Sequence, residues 1–138
     1  MIGMNSRLDT LQAIILNQKI KDLLKLNNKR RRIASRYDKE ITNVKITKVN
    51  HSKYSVYHQY VILVKERKNL IKYLQKHKIQ YGFHYPFALH QLKGLKDYFK
   101  NQKFPNAEKL ARFGISIPID PNLSNKNVSL IIKKLNNF

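Results

Sequence analysis

The sequence predicts an α+β protein, with a long leading helix followed by a small sheet packed against helices. Three observations carry that expectation. Apolar residues recur at helical spacing through residues 6–41, and no Gly or Pro interrupts them. Two runs, 57–64 (YHQYVILV) and 115–117 (ISI), have the β-branched and aromatic content of buried strands. Amphipathic helical segments separate and follow these runs, giving the order α-β-α-β-α-β-α.

The leading helix is expected to begin at Ser6, with Ser6 as its cap and Asp9 three residues on in the capping-box position. An acidic Asp9 also suits the positive end of the helix dipole. Its apolar face comprises Leu8, Leu11, Ile15, Ile20, Leu23, Leu24, Ile33, Ala34 and Tyr37. Lys29, Arg30, Arg31 and Arg32 follow one another directly, point in all directions and read as a solvated stretch.

A polar segment at 42–55 leaves room for one edge strand at 44–46. Residues 66–77 form a second amphipathic helix through Leu70, Ile71 and Leu74. Residues 79–84 can return as a strand before Pro86. Within 87–114 the clearest helical pattern is 106–113. Ser124 caps a final helix whose inner face is Val128, Ile131, Ile132 and Leu135. The length of 138 residues suits one domain over 1–138.

Composition excludes several classes. Without cysteine there are no disulfides or thiolate zinc sites, which fits a cytoplasmic protein. No apolar run is long enough to span a bilayer, and the first residues lack the pattern of a signal peptide. Eight acidic residues without a paired spacing argue against a two-carboxylate hydrolase. The five histidines have neither carboxylate neighbours in sequence nor metal-ligand spacing, so no metal site is expected.

The net charge of +20 points to a polyanion, and a basic nucleic-acid-binding module is the alternative functional reading. Against it, the chain holds 21 Lys, 15 Ile and 14 Asn, all with A/T-rich codons, and the lysines are scattered. Base composition of the genome therefore accounts for much of the charge, and nucleic acid is not the expected partner.

Two clusters have the residue types of a binding site. Asn5-Ser6-Arg7 places an amide and a planar guanidinium where free helix N–H groups already favour an anion. From these residues alone, a plain helix cap with Arg7 in solvent is the favoured reading. Phe83-His84-Tyr85-Pro86-Phe87 fixes a turn through its proline and presents an imidazole and a phenol. Those two can hold a phosphate or stack on a ring, or the segment can simply anchor the turn.

Taken together, GMNSRLDTLQAIIL, NKRRRIASRY, YHQYVILVKERKNLIKYLQKHKI, FHYPFALHQL and FPNAEKLARFGISIPIDPNLS resemble, in order, the C-terminal part of DegT/DnrJ/StrS-type sugar aminotransferases. These are fold type I enzymes dependent on pyridoxal 5'-phosphate. The resemblance implies the small C-terminal domain of that fold, with a mainly antiparallel sheet. It implies amino transfer from an amino acid, usually glutamate, to a keto group on a nucleotide-linked sugar. The products feed lipopolysaccharide and other surface polysaccharides, and the enzyme is typically a homodimer.

By the same resemblance Asn5 reaches the cofactor phosphate of the neighbouring subunit, and Arg7, His84 and Tyr85 contact the nucleotide-sugar. The larger N-terminal domain, which carries the Schiff-base lysine, is expected to be absent from this chain or supplied by a separate upstream polypeptide, so no catalytic residue is assigned in this chain. Alone, the chain is expected to be inactive and to bind the cofactor weakly at best. It departs from the family pattern at Lys78, where glycine commonly precedes the isoleucine, and at Ala88, where a second proline is common.

Overall fold

A computed structural model describes residues 6–50, 52, 54–100 and 102–138. The elements in order are helix α1 (Thr10–Lys19), a 3-10 turn (Ile20–Asp22), helix α2 (Leu23–Glu40) and strands β1 (Ile46–Lys48) and β2 (Tyr60–Val64). Helix α3 (Arg67–Lys76), a 3-10 turn (Leu89–Gln91), helix α4 (Pro105–Phe113), strand β3 (Gly114–Ile117) and helix α5 (Asn125–Asn136) complete them. The expected α+β architecture is present, with one antiparallel sheet in the order β1-β2-β3.

β2 is the central strand. Ile46 pairs with Val64 on one side, and Tyr60 with Ile117 and Ile62 with Ile115 on the other. Tyr60, Ile62 and Val64 are buried while Val61 and Leu63 are half-buried, the period-2 pattern of a strand with one face fully on the core. α5 brings Val128, Ile131, Ile132 and Leu135 to that core, the four residues its helical spacing predicts, and Ser124 Oγ accepts from the Asn127 amide as the cap. α2 contributes Ile33, Ala34 and Tyr37, and α3 contributes Leu70 and Leu74.

Polar contacts tie the first long helix to the last. The Arg36 guanidinium meets both oxygens of Glu40 at 2.7 and 2.9 Å and also donates to Ser129 Oγ at 2.8 Å. The Asn136 side chain donates to the Glu40 carbonyl and accepts from the Thr42 amide, each at 2.8 Å. Tyr37 and Tyr60 pack edge to face with ring centroids 5.0 Å apart. The Tyr37 hydroxyl donates to the Pro118 carbonyl at 2.7 Å and that of Tyr60 to Asp38 at 2.5 Å.

α4 runs straight into β3, and the junction needs a residue without Cβ. A Cβ at Gly114 would lie 2.4 Å from the Leu110 carbonyl oxygen. Arg67 closes the end of α4 by donating to the carbonyls of Ala111 at 2.7 Å and Gly114 at 3.1 Å, with its guanidinium over the Phe83 ring.

The leading helix departs from expectation in three ways. Ser6 is not its cap: Leu8 takes φ 53°, the helix starts at Thr10, and Asp9 occupies the cap position without a side-chain hydrogen bond. One turn then tightens to 3-10 over Ile20–Asp22, so 6–41 is not a single α-helix. The third difference is the largest. Leu8, Leu11, Ile15, Ile20, Leu23 and Leu24 have helical periodicity but no core beneath them, with Leu11 76% and Leu24 74% exposed. Among the described residues, burial on this helix begins at Ile33.

Smaller shifts follow local geometry. The edge strand begins at Ile46, not 44, and Val44 is 97% exposed. Tyr57 has φ 49°, so the central strand starts at Tyr60 and not at 57. The return strand expected at 79–84 reduces to one antiparallel bridge, Gly82 with Ser116. Among the described residues, no helix is long and apolar enough to cross a membrane.

Candidate functional site

The Gly82–Ser116 bridge carries the site. Their backbones exchange two hydrogen bonds, at 3.0 and 2.8 Å, which fixes the segment leading to His84 against the open edge of β3. His84 then folds back over Gly82. A Cβ at Gly82 would lie only 2.7 Å from His84 Cε1. His84 Nδ1 makes a 2.9 Å hydrogen bond with Ser116 Oγ, on a residue only 4% exposed.

The imidazole faces an open cleft of about 370 Å³, whose walls include Arg30, His58, Gln80, His84, Ser116 and Asp120. Arg30 comes from α2 and is steadied by Asn27 Oδ1 at 3.1 Å. The Asp120 carboxylate accepts from the Asn122 amide at 2.7 Å, in the turn that leads to α5. One guanidinium and two imidazoles against one engaged carboxylate make the cleft suited to an anionic or oxygen-rich ligand.

The sequence-predicted residues distribute unevenly around this cleft. His84 lies in its wall. Tyr85 follows it directly, its ring 5.8 Å from that of His84, and is 76% exposed without lining the cleft. Anchoring of the turn falls to Phe83, which packs against the core. Arg7 is exposed just before α1 and does not line the cleft. Asn5 lies outside the described residues.

His90 lies apart from the cleft. Its Nε2 is 3.1 Å from Glu108 Oε1 and its ring packs on Phe104, so this histidine does have a carboxylate neighbour. Among the described residues, no group of three or more His, Asp or Glu could hold a metal ion.

The basic run on α2 is less solvated than its sequence implies. Arg31 Nε donates to the Ser55 carbonyl at 3.0 Å, and Arg30 is half-buried at the cleft. Arg30, His58, Gly82 and Ser116 are site residues that sequence reasoning passed over. One signal was available for Ser116, a lone hydroxyl between two isoleucines on a strand whose four residues are all buried.

Both departures from the family pattern have a local explanation. Lys78 occupies a left-handed position at φ 55°, the conformation that favours glycine. The Ala88 amide donates to Gln91 Oε1 at 3.0 Å, a bond that a proline there could not make.

Comparison with known proteins places the chain in a family. The profile of the DegT/DnrJ/EryC1/StrS aminotransferase family matches residues 1–136. The chain is 36% identical over 138 residues to a dTDP-3-amino-3,6-dideoxy-alpha-D-galactopyranose transaminase of Aneurinibacillus thermoaerophilus, covering 99% of this chain and 38% of that enzyme. It is 30% identical to a UDP-2-acetamido-2-deoxy-3-oxo-D-glucuronate aminotransferase of Pseudomonas aeruginosa, with the same two coverages.

Among solved structures, a DegT DnrJ EryC1 StrS aminotransferase from Brucella abortus superposes with TM-score 0.87 at 31% identity, over 99% of this chain and 37% of that one. S. venezuelae DesV superposes with TM-score 0.88 at 26% identity, over 99% and 38%. The chain thus spans under two fifths of the length of the relatives it matches. A match over nearly all of its residues, including every segment that builds the cleft, makes this chain a member of the DegT/DnrJ/EryC1/StrS aminotransferase family.

Proposed function

We propose that this chain is the C-terminal part of an aminotransferase that moves an amino group from an amino acid, glutamate by family resemblance, to a keto nucleotide-sugar for surface polysaccharide or lipopolysaccharide synthesis. In that reading the complete enzyme is a cytoplasmic homodimer. Asn5 meets the cofactor phosphate of the neighbouring subunit, and Arg7, His84 and Tyr85 meet the nucleotide-sugar. The observation that carries the proposal is the bare apolar face from Leu8 to Leu24, which is periodic like a core helix yet left exposed by the described residues.

Bound pyridoxal phosphate supplies the electron sink for amino transfer. Among the described residues no lysine lines the cleft beside His84, so these walls do not by themselves fit a covalently held cofactor. That lysine belongs, in this reading, to the N-terminal part of the full-length enzyme. This chain's share is to bind and orient: His84 and Arg30 are hydrogen-bond donors for substrate oxygens at the cleft. The alternative of a nucleic-acid module draws on the charge alone. Arg31, Arg36 and Arg67 are engaged with carbonyls, Ser129 or Glu40, which argues against a focused binding face.

The test joins this chain in frame behind the N-terminal part of the A. thermoaerophilus transaminase. The chimera is expected to act on that enzyme's dTDP-sugar, and its α1 amides to exchange with solvent more slowly than in the chain alone. Turnover by the chain alone with pyridoxal phosphate, or α1 amides that exchange equally fast in both, would overturn the proposal.

A further inference from the structure

We propose that Ser116 and Gly82 are positioning residues that hold neutral His84 in one tautomer, with the proton on Nε2 facing the cleft. What Nε2 meets rests on the reading of His84 as a substrate contact; the tautomer does not.

The argument starts from the hydroxyl. Ser116 is buried, its backbone bonds are satisfied by Gly82, and among the described residues Oγ has His84 Nδ1 as its one hydrogen-bond partner. A buried hydroxyl proton without an acceptor is costly, whereas spare oxygen lone pairs are tolerated more easily. Ser116 therefore donates, and Nδ1 accepts. A neutral imidazole that accepts at Nδ1 must carry its proton on Nε2. Among the described residues Nε2 has no hydrogen-bond partner, so its N–H is available to an oxygen atom of a ligand in the cleft that Arg30 and His58 also line.

Gly82 supplies the second constraint. The ring fills the space that a Cβ would take, and a methyl group there would collide with Cε1 at 2.7 Å and crowd Nδ1 at 3.3 Å. The colliding atoms belong to a side chain at the protein surface, so an alanine displaces the ring without disturbing the strand pairing.

The chain is labelled with 15N-histidine and its imidazole tautomers are read by long-range proton–nitrogen correlation at about pH 8.5, above the usual histidine range. His84 is expected to show a single tautomer protonated on Nε2. Ser116→Ala and, independently, Gly82→Ala are expected to convert it to a mixture, with the β2 and β3 amide signals retained. Gly82→Ala keeps the test decisive if removal of the buried hydroxyl unfolds the chain. A mixture in the unaltered chain, or a single Nε2–H tautomer that survives both substitutions, would overturn the proposal. Uridine and thymidine diphosphate are then added to the unaltered chain. A fixed tautomer whose Nε2 signal ignores both at saturation leaves the positioning intact and overturns His84 as a substrate contact.

Discussion

The Ile79 amide donates to the Leu74 carbonyl at 2.9 Å, and this bond closes α3 with Lys78 held at φ 55° between them. The Lys78 amide bonds back to Gln75 in the same motif, and both apolar ends, Leu74 and Ile79, are buried. The geometry is that of a glycine terminator occupied by a lysine.

Replacing Lys78 with glycine is therefore expected to stabilise the chain. Relief of left-handed strain outweighs the extra freedom glycine gives the unfolded chain, for a net gain of about 0.5–1 kcal/mol. Urea titration of Lys78→Gly beside the unaltered chain checks it. An unchanged or lower midpoint would show that the lysine bears no strain there.

Gly114→Ala is expected to act in the opposite direction. The new Cβ would meet the backbone carbonyl of Leu110, which cannot move without disturbing the end of α4. A loss of about 1–3 kcal/mol is expected, as for other overpacked sites. Gly94, which has nothing within 4 Å of a Cβ, is the control, and Gly94→Ala should be neutral or slightly stabilising.

Alkaline pH is expected to weaken the fold through two tyrosines. Burial pushes the Tyr37 and Tyr60 hydroxyls well above the ordinary tyrosine range, with the Asp38 hydrogen bond adding to the effect at Tyr60. The native chain thus keeps protons that the unfolded chain releases above about pH 10. Their stabilising contribution is complete below the unfolded value and declines as pH rises through it towards the native values. Unfolding free energy measured between about pH 9 and 11 should fall. Tyr37→Phe should lower the steepness of that fall, and an equal slope would remove Tyr37 from the explanation.

The bare face of α1 is expected to drive self-association of the chain. Leu11 and Ile15 are neighbours on one face and both exposed. Replacing both with glutamine should shift light scattering towards monomer while each substitution changes stability by no more than about 0.5 kcal/mol. Scattering that does not respond would assign association to another surface.

How legible these features were in the sequence depended on whether their partners lie in the same chain. Helix α5 was readable because Val128, Ile131, Ile132 and Leu135 face a core that the chain itself supplies. Leu11 and Leu24 have equally good periodicity, but pattern alone does not say what lies opposite, and both are exposed among the described residues. The start of α1 was misplaced because Leu8 adopts a left-handed conformation that its residue type disfavours.

At the site, His84 stood out because a proline-fixed aromatic turn has a local signature. Ser116 and Arg30 did not, because a strand and a helix far away in sequence bring them to His84.

The Asn136 amide that spans Glu40 and Thr42 has a consequence for synthesis. It joins residues more than ninety positions apart, and Asn43 makes a similar bond to the Leu135 carbonyl. β2 likewise waits for β3, since Tyr60 pairs with Ile117. These contacts join residues far apart in sequence, so each requires a long loop to close first. Tyr37 of α2 meets Tyr60 early, but Arg36 and the Glu40 carbonyl find Ser129 and Asn136 only once α5 has been made. Docking of α5 is thereby the step that closes this unit, and until it occurs the face of α2 that α5 covers is open to chaperones and proteases.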